Sequence, residues 1–255
     1  MLDHITPVVL TLDEAANIAR VLERLSWAND IVVVDSGSHD DTLAIVSRHR
    51  NARVFSRAFD NHASQWNFAL RETGIRTDWV LALDADHVMT QALVDELAGL
   101  VPREETSGYR VGFTYCVFGR PLRASLYPPL VSLYRRERAQ YVQEGHTQRL
   151  VIDGPVLTLR SRLLHDDRKS FRRWLRSQND YMRLEASLIR SSTWRELSWS
   201  NRIRRFIVAA PIGAFLWCLF GKRTVLDGIP GICYSAQRML AEFILSLHLI
   251  VRLIR

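Results

Sequence analysis

Two apolar runs that each end in a carboxylate constrain this chain more than any other feature. They are Asp30–Asp35 (DIVVVD) and Trp79–Asp84 (WVLALD). A strand without polar alternation is buried on both faces, as in a parallel sheet covered by helices. Ile5–Leu12 (ITPVVLTL) reads as a third strand and Arg53–Phe59 as a short fourth. Helical patterns lie between them. Asp13–Leu25 repeats apolar residues at Ile18, Val21, Leu22 and Leu25, with Asp13 as its expected cap. Asp40–His49, with Asp40 as N-cap, His62–Thr73 and Thr90–Val101 are the other expected helices. This alternation predicts right-handed βαβ units, hence an α/β, Rossmann-like fold with a mostly parallel sheet flanked by helices. Ligands of such sheets bind at the carboxyl ends of the strands.

The candidate chemistry sits at those ends. Asp84-Ala85-Asp86 closes a buried strand. Two carboxylates one residue apart cannot both face a core without great cost. At a strand end they offer hard oxygen ligands to a divalent cation that also holds phosphate oxygens. Asp35 is followed by Ser36-Gly37-Ser38, small residues suited to a tight turn beside a ligand. Its carboxylate is placed to accept from a ribose or a base N–H. Glu14, after the first strand, is a further candidate for nucleotide contact. No GxGxxG follows the first strand and no Walker A sequence occurs. A nucleotide site here therefore relies on carboxylates and a metal.

The pattern changes from Tyr109 to Leu159, where YRVGFTYCVFG and RLVIDGPVLTL look like antiparallel or edge strands. The ASLYPPLVSLY segment between them carries a Pro-Pro break and reads as a loop beside a cleft. Residues 170–205 are basic and helical, and two apolar stretches follow at 206–220 and 239–255. The first is shorter than the roughly 20 residues a spanning helix needs. In the second, Leu240, Phe243, Ile244, Leu247, Val251 and Ile254 fall at helical spacing, as in an amphipathic helix lying in a membrane interface.

The net charge of +7 is a local property. Residues 1–159 carry 16 Arg/Lys against 20 Asp/Glu, whereas residues 160–223 carry 15 against 5. An acidic first half without a recognised RNA or DNA module argues against nucleic acid as a partner. The basic segment, with Arg168, Arg172, Arg173, Arg176, Arg202, Arg204 and Arg205, suits anionic lipid headgroups or a phosphate-bearing acceptor. Cys116, Cys218 and Cys233 form no CxxC pair and suggest no disulfide framework. The N-terminus lacks a basic n-region, so the expected location is the cytoplasmic face of the inner membrane, peripheral or monotopic.

TLDEAANI (11–18), IVVVDSGSHDDT (31–42), QWNFAL (65–70) and DWVLALDAD (78–86) resemble the glycosyltransferase family 2 signature in order and spacing. VQEGHTQRLVIDG (142–154), the segment 163–186 and PIGAFLWCLFGKRTVLDGIPG (211–231) resemble its lipopolysaccharide core β-glucosyltransferase branch. The resemblance implies a GT-A domain over residues 1–165, with residues 166–255 a helical region associated with membrane or acceptor. It implies an inverting hexose transfer from a nucleotide sugar, most simply UDP-type, to a lipid-linked or lipopolysaccharide-core-type acceptor, with Mg2+ or Mn2+. By matching positions, Glu14, Asp35, Asn67 and Asp84 are donor-binding, Asp86 and His165 serve the metal, and Glu144 is the base; His146, two residues on, is placed to substitute for the missing histidine or assist.

The sequence departs from the family pattern at Trp66, where a lysine is usual, and at Gln143, where the branch has histidine. Two rival readings stand beside the main one. A polyprenyl-phosphate sugar transferase attacks with a phosphate oxygen and needs no strong base. A catalytically silent adaptor binds nucleotide sugar and turns nothing over.

Overall fold

A computed structural model describes residues 1–144, 147–195, 197–204, 207 and 209–251, with backbone alone at Glu144, Thr147 and Ser200. His146, Arg205 and the Glu144 side chain lie outside what is described. The chain divides into two compact units, Met1–Cys116 with Tyr127–Arg168, and Val117–Leu126 with Lys169–Arg255.

In the first unit, β1 (Ile5–Thr11), β2 (Ile31–Asp35), β3 (Ala52–Ser56) and β4 (Trp79–Asp84) pair in parallel in the order β3-β2-β1-β4. The sheet continues through β5 (His87–Met89), β6 (Gly108–Val117), β8 (Leu130–Arg135) and β11 (Val156–His165), while the two-residue β7 (Arg120–Pro121) lies in the second unit's segment. Their order beyond β4 is β8-β6-β11-β5. A separate hairpin joins β9 (Ala139–Glu144) to β10 (Thr147–Ile152).

Helices cover both faces, which is why the β1, β2 and β4 runs carry no polar alternation. On one face α1 (Ile18–Arg24) and α4 (Gln91–Ala98) bring Ile18, Leu22, Leu93 and Leu97 against Val9, Ile31, Val33 and Leu83. On the other, α3 (His62–Glu72) brings Trp66, Ala69 and Leu70 against Val8, Val32, Val34 and Tyr134.

Three local expectations are corrected. The first helix starts at Ile18, and Asp13 does not cap it. Asp13 has φ 52° and instead takes the His39 N–H at 2.7 Å on its carboxylate. The helix expected over 40–49 is the shorter α2 (Thr42–Val46), although Asp40 does accept from the Thr42 N–H. The LVSLY portion of the expected loop is β8, inserted between β4 and β6. The Pro-Pro break ends one residue before that strand begins.

The second unit is helical: α5 (Phe171–Ser191), α6 (Trp199–Arg204), α7 (Ala209–Leu216) and α8 (Ile229–Val251). A π-helical turn, Trp217–Gly221, and a 3-10 turn, Thr224–Asp227, connect α7 to α8. The last helix starts ten residues before the expected position, with Pro230 in its first turn, where no N–H partner is needed. Ala186, Ile189, Leu197, Leu245 and Leu249 form this unit's core. No helix among the described residues is long and apolar enough to cross a membrane.

Part of the expected cationic patch is engaged within the fold. Arg168 pairs with Asp166, and Arg202 lies over the Trp194 ring and donates to the Trp194 carbonyl. Arg204 pairs with Glu185 and Glu242, both buried. Arg172 and Arg176 are exposed on α5.

Candidate functional site

The site is assembled by β-sheet register. β4 ends at Asp84, the chain turns through Ala85 and Asp86, and β5 pairs antiparallel with the end of β11. That pairing sets His87 opposite His165, and β11 pairs on its other side with β6, where Tyr115 stands opposite His165. The Asp166 N–H donates to the Asp86 carbonyl at 3.0 Å and extends the ladder by one bond. Two histidines 78 positions apart thus flank the DAD carboxylates.

Asp86 is buried, and its Oδ2 lies 3.3 Å from His165 Nε2. His87 Nε2 is 3.8 Å from Asp86 Oδ1 and 3.7 Å from Asp84 Oδ2. One ligand atom from each of Asp86, His87 and His165 lies within 4.8 Å of the others. Tyr127 stacks on the His165 ring at 4.6 Å, and Phe113 packs on His87 at 4.8 Å. Asp84 is half exposed and faces outward.

The two histidines shift in opposite directions. Burial lowers the His87 pKa and outweighs the pull of Asp84 and Asp86. Burial also pushes His165 down, but Asp86, with Asp84 and Asp167, carries it above the ordinary histidine value. The tautomer of His87 follows from a hydrogen bond. The Asp84 N–H donates to His87 Nδ1 at 3.1 Å, so Nδ1 holds the lone pair and the ring proton sits on Nε2. A ligating histidine normally carries its proton on the nitrogen away from the metal and donates it to an acceptor. His87 has the opposite arrangement. His165 Nδ1 is buried and makes no hydrogen bond among the described residues, while its Nε2 faces Asp86. A carboxylate and an imidazole are suitable ligands for a divalent transition metal. Asp86 and His165 therefore fit a metal, and His87 fits a hydrogen-bond donor beside it.

The other expected residues are placed as follows. Asp35 is buried, and both oxygens are engaged by its own chain. Oδ1 accepts from Thr11 Oγ1 at 3.0 Å and Ser38 Oγ at 2.5 Å, and Oδ2 from the N–H groups of Gly37 and Ser38, each at 2.9 Å. Burial raises its pKa, but the hydrogen bonds from Ser38, Gly37 and Thr11 together hold it below the ordinary aspartate value. Glu14 accepts from Asn17 Nδ2 at 2.8 Å. Asn67, on α3, donates to the Tyr141 carbonyl at 2.8 Å and accepts from the Tyr141 N–H at 3.0 Å. Both ends of its amide thus hold β9, the strand that ends at Glu144.

Sequence reasoning missed several residues here. A cavity of about 490 Å³ lies over Asp84 and His87, walled by Trp66 and Tyr141 and bordered by Arg110 and Arg149. Trp66 and Tyr141 stack at 5.3 Å. The two arginines give an otherwise acidic site its cations. Nothing in their sequence context marks them, since they come from different sheets, β6 and β10. Asn17 is a second omission. It is fully buried and bridges Glu14, Arg20, Asp167 and the Arg168 N–H, tying the start of α1 to the residues after β11.

Residues 7–161 match the sequence profile described as Glycosyl transferase family 2. A 108-residue stretch is 32% identical to the lipopolysaccharide core biosynthesis glycosyltransferase LpsC of Rhizobium meliloti (strain 1021), covering 40% of this chain and 39% of that protein. A 97-residue stretch is 34% identical to an uncharacterized glycosyltransferase of Rickettsia felis, covering 38% and 33%. The chain thus spans well under half the length of these relatives. Among solved structures, S. aureus TarS 1–349 in complex with UDP-GlcNAc is similar over 96% of this chain and 89% of that chain, with 14% identity and a TM-score of 0.50. Glucosyl-3-phosphoglycerate synthase from Mycobacterium tuberculosis, solved with Mn2+, UDP-glucose and phosphoglyceric acid, is similar over 73% and 79%, with 20% identity and a TM-score of 0.50. The fold is GT-A-like, as the motifs predicted.

Proposed function

The chain belongs to glycosyl transferase family 2, and on that premise we propose that it transfers a hexose, with inversion, from a nucleotide sugar to a lipid-linked or lipopolysaccharide-core-type acceptor. The observation that carries the reading is Asp86 against His165 at 3.3 Å, at the carboxyl end of a parallel strand and beside a cavity bordered by arginines. The stretch shared with LpsC, a lipopolysaccharide core biosynthesis glycosyltransferase, supports the acceptor class. A UDP-type donor follows the ligands of the two solved neighbours. The place of action is the cytoplasmic face of an anionic membrane.

Asp86 and His165 would hold the divalent cation, with Asp84 beside them. The cation supplies Lewis-acid neutralisation of the charge that develops on the leaving diphosphate. The chain's own residues do the rest. Asp35 fixes the Ser36–Ser38 turn against which the nucleoside lies, and Glu14 borders the same turn. Arg110 and Arg149 attract the donor diphosphate or an acceptor phosphate into the cavity. Glu144 removes the acceptor hydroxyl proton as that oxygen attacks the anomeric carbon, and His146 assists it. Asn67 acts through β9, holding the strand that carries the base.

Donor hydrolysis and transfer to lipid extracts, measured with Mn2+ or Mg2+, test the reading. Wild type should turn over one nucleotide sugar in a metal-dependent way, and Asp86→Ala should abolish it. Glu144→Gln should abolish transfer while leaving donor binding intact. Full transfer by Glu144→Gln would assign the acceptor nucleophile to a phosphate. No turnover by wild type with any donor would favour a silent adaptor.

A further inference from the structure

The family-like segment around LDGIPG builds a rigid turn in the second unit. The Thr224 hydroxyl donates to the Cys218 carbonyl at 2.9 Å and lies 2.9 Å from Ser235 Oγ, and all three residues are buried. A Cβ at Gly231 would stand 1.8 Å from the Thr224 carbonyl oxygen, so only glycine lets α8 approach the turn. Gly228 has φ 65°. Asp227 accepts from the Arg123 N–H at 3.2 Å and pairs with its guanidinium at 3.3 Å. The Tyr234 hydroxyl accepts the Leu126 N–H at 2.7 Å.

This well-fastened turn displays apolar side chains. Trp217, Phe220, Leu226 and Ile229 are 57%, 61%, 59% and 72% exposed. Clusters of this kind mark interaction sites. Their surroundings are cationic. Lys222 and Arg223 lie within the turn and Arg123 beside it, while the one acid in the turn, Asp227, is already paired with Arg123. An apolar tip flanked by Lys222 and Arg223 complements an anionic lipid leaflet, where side chains enter the acyl boundary and the cations remain among the phosphates.

We propose that residues 217–229 form the membrane-docking surface of this protein, with Trp217, Phe220, Leu226 and Ile229 entering an anionic leaflet. The inference rests on the reading of a lipid-borne acceptor at a membrane and names the surface that meets it. The N–H groups of Lys222, Arg223, Leu226 and Gly228 donate to carbonyls within the turn, so the tip enters without unfolding.

The test is co-sedimentation of the full chain with vesicles of phosphatidylcholine alone or with about 30 mol% phosphatidylglycerol. Wild type should bind the anionic vesicles. Leu226→Asp/Ile229→Asp should bind roughly tenfold more weakly or worse, with Tm and metal-dependent donor hydrolysis unchanged. Lys222→Gln/Arg223→Gln should lose the preference for the anionic lipid. Trp217→Phe should remove part of the blue shift in fluorescence on binding. Equal sedimentation of the Asp variant, or no binding by wild type, overturns the proposal. A wild-type dimer that the Asp variant splits would overturn it too, in favour of a second copy on this face. Donor hydrolysis without vesicles separates these outcomes from failure of the transferase reading.

Discussion

The backbone N–H of Asp84 donates to Nδ1 of His87, and this bond sets the direction in which the His87 ring proton points. With Nδ1 as acceptor, Nε2 carries the proton and points toward the Asp84 and Asp86 carboxylates and the Tyr127 hydroxyl, 3.3 Å away. Ligation through Nε2 would require a proton on Nδ1, facing a backbone donor. Asparagine at position 87 keeps an acceptor for the Asp84 N–H. His87→Asn should therefore lower Mn2+ affinity by no more than about tenfold, the low end for a residue behind the ligands. Asp86→Ala and His165→Ala should each lose about 100-fold or more. Electron spin-echo spectra of the Mn2+ complex should carry one imidazole nitrogen in wild type and His87→Asn, and none in His165→Ala. Two imidazoles in wild type would put His87 on the metal.

Asn67 distinguishes a positioning role from donor contact. Its amide holds the Tyr141 backbone from both sides. Asn67→Ala leaves that N–H and carbonyl without their partner, at a cost of about 1–3 kcal/mol. We expect a lower midpoint in urea and a fall in kcat, because β9 carries Glu144, with donor KM nearly unchanged. Unchanged stability with a raised donor KM would mean that Asn67 touches the donor.

The parallel half of the sheet was legible because β1, β2 and β4 lack polar alternation, and few environments accept such strands. Asp84 and Asp86 were legible for the converse reason: paired carboxylates after WVLAL have no place in a core. His87 was not. Its side chain acquires meaning only when β5 registers against β11, which brings Asp86 and His165 together across 79 positions. β8 was hidden by Pro128-Pro129, which marks the end of a loop and says nothing of the strand after it. Asp13 resembles a helix cap by composition, and its positive φ is a property of the turn against Ser38 and His39.

Asp35 predicts an acid dependence. Its folded pKa lies below the ordinary aspartate value, so it binds fewer protons folded than unfolded. The stability it contributes is present above about pH 4 and is lost as pH falls through the lower folded value. Asp35→Asn sets an amide N–H2 or a weaker acceptor against the Gly37, Ser38 and Thr11 donors. The loss at pH 7 should be about 2–4 kcal/mol. Urea unfolding across pH 7 to 3 should show the gap between the two proteins narrowing below about pH 4. A gap independent of pH would place the loss in packing.

Arg204 predicts the largest stability effect in the second unit. Its guanidinium meets Glu242 at 2.6 Å and Glu185 at 3.2 Å, and both glutamates are buried. The cluster joins α6 to α5 and α8. Removing the cation leaves two buried carboxylates facing one another, at a cost of about 3–5 kcal/mol. Arg204→Ala should lower the midpoint of thermal unfolding and speed amide exchange along α8. Combining it with Glu185→Leu and Glu242→Leu should recover most of the loss, because desolvation of the three charges is removed together. A loss below about 1 kcal/mol in the single variant would mean that water screens the cluster as it does a surface pair.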